Sequence, residues 1–282
     1  MTANERIASI RAKIERAGEH INELEAEVQL FLKANPYIVG TKRDEQTRRP
    51  IYYLVIVRET PTRMSTITGD VIHNLRSALD HLADHLVRVA GGTPSNQTGF
   101  PISRDAAKYK AEQCRKTKGM GPDAIKEIDK IKPYGGGNNT LWGLHQLDIV
   151  DKHRLLITIG SAYKDFNIRP IIHREIKQLL GNAGLENTDK IPMPDLFLIP
   201  DDRMSPLKAG DELFSDLPDA EVNDQIQFRF EIAFGEPQVV KGEPLIKTLR
   251  QMIDTVDKIV LSFKPLLVLS DRNDARMGGR DL

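Results

Sequence analysis

Cysteine is almost absent from this 282-residue chain; Cys114 is its one representative. A single thiol excludes an intrachain disulfide and any zinc site built from cysteines. No Cys-His-Asn arrangement surrounds it, so a structural thiol is expected. Net charge is missing too, because 40 Lys and Arg balance 40 Asp and Glu. That excludes a global pull toward nucleic acid or an anionic membrane, and leaves only a local patch for any nucleic-acid contact. No apolar run approaches the length that spans a bilayer, so no membrane partner is expected. Aromatic residues are 6% of the chain, with one Trp, too few for a surface that stacks single-stranded bases. Gly135-Gly136-Gly137 lacks the following Lys-Ser/Thr of a phosphate-binding loop and reads as a turn. The first twenty residues are charged and periodic, as expected of a helix in a cytoplasmic chain and not of a leader.

What is present is globular in character, with 40% hydrophobic and 28% charged residues. Ile7, Ile10, Ile14, Ala17, Ile21, Leu24, Val28 and Phe31 alternate spacings of three and four, which predicts a long helix ending before Asn35-Pro36. So narrow a stripe serves a coiled-coil dimer or, in the preferred reading, a helix laid along its own subunit. Tyr37 to Thr41 and Ile51 to Glu59 predict a β-hairpin near 37–59. Helices are expected from near Thr68 or Asp70, over 104–117 and 122–132, and from Leu141. Short β-rich segments follow at 155–159, 167–172 and 195–199, with a turn at Lys208 to Asp211. The clearest strand is Ile226 to Phe234, where large apolar residues alternate with polar or small ones. Leu245, Leu249, Met252, Val256, Ile259 and Phe263 mark a closing helix over 243–265, and 271–282 reads as a disordered tail. The fold class is therefore expected to be α+β, a single domain over 1–282. Its helical part (1–154) is followed by an antiparallel β-rich insertion (155–240), and the last helix closes the bundle.

Five of the seven histidines lie in two runs, GDVIHNLRSALDHLADHLV from Gly69 and LWGLHQLDIVDKHRLL from Leu141. At 100° per residue, His73, Arg76, Asp80 and Asp84 share one polar face of the first run, with Ser77 beside them. Asn74, His81 and His85 lie on its other flank. The second run carries His145, Asp148, Asp151, Lys152, His153 and Arg154. Asp148 and Asp151 share a face with Leu144, Leu147 and Leu155, so partial burial is expected and partners are required. Arg76 and Arg154 are the natural ones.

Arg76-Ser77-Ala78-Leu79-Asp80-His81 is an Arg-x4-His spacing on a helix. In this it resembles the HEPN superfamily, whose members carry an Arg-x4-6-His motif on a helical bundle. The resemblance implies a metal-independent endoribonuclease without a cofactor, acting on RNA as a homodimer in a toxin–antitoxin or phage-defence system, with an antitoxin protein as a partner. It implies that Arg76 binds the phosphate or transition state and that His81 is the general acid or base, with Asp80 beside them. His73, Asn74, Asp84, His145, Asp148, Asp151, Lys152, His153 and Arg154 would orient or support that pair. The side chains suit the reaction: an imidazole moves a proton near neutral pH, and a guanidinium neutralises charge on phosphoryl oxygens. The chain is also similar to bacterial proteins of unassigned function that share HNLRSALDH, DKHRLL and AFGE.

Two other readings stay open. His73, Asp80 and Asp84 facing His145 and Asp148 across two helices would make a metal-dependent hydrolase, although no Glu-x-x-His pair is present. Alternatively, a buried Arg/His/Asp network fixes how the helices pair, in a non-catalytic binding or scaffold protein.

Overall fold

The computed structural model describes residues 2–167, 172, 175–177, 197–198, 206–222, 228–236, 239–240 and 242–277. Its helices are α1 (Ala3–Lys33), α2 (Thr62–Val89), α3 (Ala106–Lys116), α4 (Pro122–Ile131), α5 (Asn139–Asp151) and α6 (Leu245–Met277). Its strands are β1 (Tyr37–Arg43), β2 (Pro50–Val57), β3 (Thr158–Asn167), β4 (Phe197–Leu198), β5 (Glu212–Ser215) and β6 (Phe228–Phe234). The class is α+β, as the sequence predicts.

Helix α1 opens with a capping box, in which Thr2 Oγ1 accepts from Glu5 N and the Glu5 carboxylate accepts from Thr2 N. Ile10, Ile14, Ala17, Ile21, Leu24 and Val28 are buried along one face, against α2 and α6. The narrow stripe is thus taken up inside the chain. Arg63 of α2 ties the wet side of this contact by donating to Glu23 at 2.6 Å and Glu27 at 3.0 Å.

Helix α2 begins at Thr62, directly after Pro61, and not near Thr68. Met64, Ile67 and Val71 carry its apolar face upstream, through β-branched residues whose weak helix propensity masks the start. Leu75, Ala78, Leu79, Leu82, Ala83 and Val87 are all fully buried, because α1 and α6 cover much of the circumference and α5 lies along another side. At Gly69 an added Cβ would overlap the Asp151 carboxylate, so glycine permits the close approach of α5 there.

The closing helix runs past its expected end: α6 continues through Pro265 to Met277. Leu267 is fully buried beyond the proline and its carbonyl accepts from Arg6 Nη1 at 3.2 Å, which holds the helix to α1. Residues 278–282 lie outside the described residues.

The β portion divides into two antiparallel three-stranded sheets, ordered β1-β2-β5 and β4-β3-β6. The early hairpin is therefore completed by a strand from the insertion. Gly210 (φ 95°) makes the turn at Lys208 to Asp211 that delivers β5, and its N–H donates to Leu54 O at 2.7 Å. Tyr37 and Tyr52 of the first sheet meet Phe230 and Phe228 of β6, with ring centroids 4.9 and 5.9 Å apart. The other end of β6 enters the helical core, where Ile232 and Phe234 are buried. One strand thus serves two apolar clusters, and its alternation gives way to full burial at its end. The expected strand at 155–159 starts only at Thr158, and β4 falls within that expected at 195–199; residues 168–171, 195–196 and 199 lie outside the described residues. Among the described residues, no helix is long and apolar enough to cross a membrane.

Beyond α5 the chain is clamped to the end of β6. Arg154 Nη1 and Nη2 donate to the Glu236 carboxylate at 3.1 and 2.7 Å, and Ile157 N donates to it at 2.8 Å. Glu236 is 1% exposed. Replacing Arg154 strands a buried carboxylate, so Arg154→Ala is expected to cost about 2–3 kcal/mol in urea unfolding. Glu236→Gln, which keeps an acceptor for Ile157 N, is expected to cost less; equal stability of Arg154→Ala and wild type would contradict the clamp.

Candidate functional site

The two histidine-rich runs come together as α2 and α5, packed antiparallel. Going up α2, Gly69 lies against Asp151 and His73 against Asp148. Arg76 follows, close enough to His145 to perturb its ionisation. The resulting polar seam runs along the side of α2 left open by α1 and α6.

Asp148 is its centre. The carboxylate is 2% exposed, as expected of a residue on the leucine face of α5. Lys152 Nζ donates to Oδ2 at 2.6 Å, and His73 Nδ1 lies 3.4 Å from Oδ1. Both partners remain wet, with side chains 55% and 58% exposed. The buried acid therefore holds an accessible imidazole and an accessible ammonium on the surface. Ser77, one turn beyond His73, places Oγ 3.5 Å from His73 Nε2.

The pairings differ from those expected of Arg76 and Arg154. Arg76 is 7% exposed and turns to its own helix, with Nη1 2.9 Å from Asp80 Oδ1 and Nη2 donating to Phe100 O at 3.1 Å. Phe100 N donates to the same Asp80 oxygen at 3.0 Å. Arg76 and Asp80 thus grip both backbone groups of Phe100, whose ring is fully buried. The Nη1 contact is an ion pair off the direction of a hydrogen bond. Arg154 leaves the seam for Glu236. Among the described residues Asp151 forms no ion pair; burial raises its pKa, and Asp148 and Asp70 add to the rise.

His145 is the half-buried histidine of the seam. Burial pushes its pKa down to about 3, and the charges of Arg76 and Lys116 add to the effect. Lys116, at the end of α3, has its own pKa lowered by burial and by Arg76. Its carbonyl accepts from Gly99 N at 3.4 Å, next to the Phe100 grip. No periodic signal ties Lys116 to α2, so sequence reasoning missed it; Glu236 was visible only as the acid of AFGE.

His81 stands apart. It lies five positions beyond Arg76, about 140° around the helix. Among the described residues no hydrogen bond or ion pair joins the two. His81 instead neighbours His85, whose pKa is lowered by burial, against the opposing pull of Asp84. The Ser9 hydroxyl donates to Arg6 O at 2.8 Å and lies 2.9 Å from His85 Nε2, which ties α1 to α2. Asp84 pairs with Arg88 at 2.6 Å, while Asn74 donates to Asp70 O at 2.8 Å. His153 is exposed at the end of α5. Of the five residues of the metal reading, His73 and Asp148 form an ion pair, while Asp80 and Asp84 turn to Arg76 and Arg88. No group of three His, Cys, Asp or Glu among the described residues could hold a metal ion.

No family model, no curated protein and no solved structure matches this chain.

The neutral His145 sets a pH dependence. Its folded pKa of about 3 lies below the unfolded value near 6.5, so the unfolded chain binds the extra proton between them. Stability from this residue is complete above pH 6.5 and is lost as pH falls toward 3. At pH 4.5, before most carboxylates titrate, the loss is expected to be about 2 kcal/mol after allowance for partial exposure. Thermal unfolding should show that His145→Gln flattens the decline between pH 6.5 and 4.5. An unchanged slope in the variant would contradict the assignment.

Proposed function

We propose that this chain is a HEPN-like, metal-independent endoribonuclease whose acid–base residue is His73, not His81. The observation that carries the reading is an exposed imidazole 3.4 Å from a carboxylate that is 2% exposed. A buried acid stands beside the Nδ1 side of the ring, the placement of other acid-oriented histidines. His73 Nε2 takes the proton of a ribose 2′-hydroxyl, the 2′-oxygen attacks phosphorus, and the bond to the 5′-oxygen breaks to give a 2′,3′-cyclic phosphate, the departing 5′-oxygen taking a proton from water. Lys152, on the same carboxylate and open to solvent, is the cation within reach of the phosphodiester. Arg76 contributes its charge from beneath while holding Phe100. RNA as substrate, a homodimer, an antitoxin partner and a cytoplasmic toxin–antitoxin or phage-defence role accompany this reading.

One observation favours a second reading, a non-catalytic binding or scaffold protein. Arg76, Asp80 and Arg154 all end on partners that fix the architecture.

Cleavage of a structured RNA in EDTA separates these readings. His73→Ala and Lys152→Ala are expected to lower the rate at least about 100-fold and 10-fold, with His81→Ala near wild type. Loss of activity in His81→Ala with retention in His73→Ala would restore the Arg76/His81 pair as the centre. No cleavage by wild type, and no growth arrest on expression, would leave the non-catalytic reading.

A further inference from the structure

A cavity of about 500 Å³ lies away from the α2/α5 seam, where the end of β2 and the start of α2 meet β3. Its volume is that of a small-molecule site. Three hydroxyls form its polar side. Thr60 Oγ1 donates to Thr158 O at 2.6 Å, and Thr158 Oγ1 lies 3.0 Å from Thr60 Oγ1 and 3.2 Å from Ser65 Oγ. Ser65 and Thr158 are buried, and the linked hydroxyls allow two proton orders. In one, Thr158 donates to Thr60 and Ser65 donates to Thr158, so Ser65 keeps free lone pairs. In the other, Thr158 donates to Ser65 and the Ser65 proton is left for a ligand. Ser65 Oγ is therefore a polar end that accepts or donates.

The apolar lining includes Leu155 and Ile157, 51% and 43% exposed, and the buried Leu207. Two further lining residues are exposed cations, Arg58 and Lys208, for which no ion pair is formed among the described residues; Glu59 is the one acid among the described lining residues. These three give the described part of the rim one net positive charge.

We propose that this cavity binds a small bifunctional anion: an apolar ring or short chain with a carboxylate held by Arg58 and Lys208, and a hydroxyl or carbonyl met by the Thr60/Ser65/Thr158 cluster. The exposed leucine and isoleucine are the surface such a body covers, and a single carboxylate matches the net charge of the rim.

The test uses the full chain and three probes: 4-hydroxyphenylacetate, phenylacetate and 4-ethylphenol. Amide shifts in two-dimensional NMR locate the site, and titration measures affinity. The first probe is expected to bind at about 1 mM or tighter, with shifts at Ser65, Thr158 and Ile157. Loss of its hydroxyl or of its carboxylate is expected to weaken binding about three- to tenfold. Ser65→Ala should abolish the preference over phenylacetate, and Arg58→Gln/Lys208→Gln the preference over 4-ethylphenol. Both variants are confirmed as folded by an unchanged amide spectrum elsewhere. No binding at roughly 10 mM, equal affinity for all three probes, or shifts confined to the separate cavity near Ile246 and Gln251 would overturn the proposal. RNA cleavage is not part of this readout, so its outcome bears only on the seam.

Discussion

A helix buried on most of its circumference must find a partner for every polar side chain it carries, and α2 imposes that condition on this protein. Helices α1 and α6 take its apolar faces and leave one side for polar groups. Unpaired charge is costly where that side is buried, so its buried groups are answered by specific neighbours. Asp80 and Arg76 are answered by each other and by the backbone of Phe100, and His73 by Asp148. Helix α5 sits where it does because its buried acid needs what α2 and its own last turn supply.

The same condition separates architecture from chemistry within one cluster. Groups whose partners are fixed and buried, such as Arg76 with Phe100 and Arg154 with Glu236, are committed to holding segments together. His145 is committed in another way, kept neutral by burial among cations. His73 and Lys152 combine a buried partner with an exposed working end. That combination is what proton transfer to a bound substrate requires, and it is why the proposal moves the acid–base role one turn before the Arg-x4-His spacing.

Much of the fold was legible because burial writes period into sequence. The stripes of α1 and α6 and the alternation of β6 led to the right element types, and the α+β class followed. The start of α2 was hidden by β-branched residues, and the end of α6 by a polar stretch after Pro265. Joining β5 to the early hairpin was illegible, since pairing between distant strands leaves no periodic mark. At the site, angles around one helix correctly separated His81 from Arg76. They could not decide which acid each base would meet, because Phe100, Lys116 and Glu236 come from other elements. Placing Asp148 beside leucines did foretell its burial.

The account turns on Asp148 orienting His73, and the position of one proton reports on that directly. Long-range proton–nitrogen NMR at neutral pH assigns the ring tautomer of His73. The account predicts a proton on Nδ1, directed at Asp148, and its return to Nε2 in Asp148→Asn. A wild-type ring already protonated on Nε2, unchanged by that substitution, would show that Asp148 serves Lys152 alone and would contradict the account.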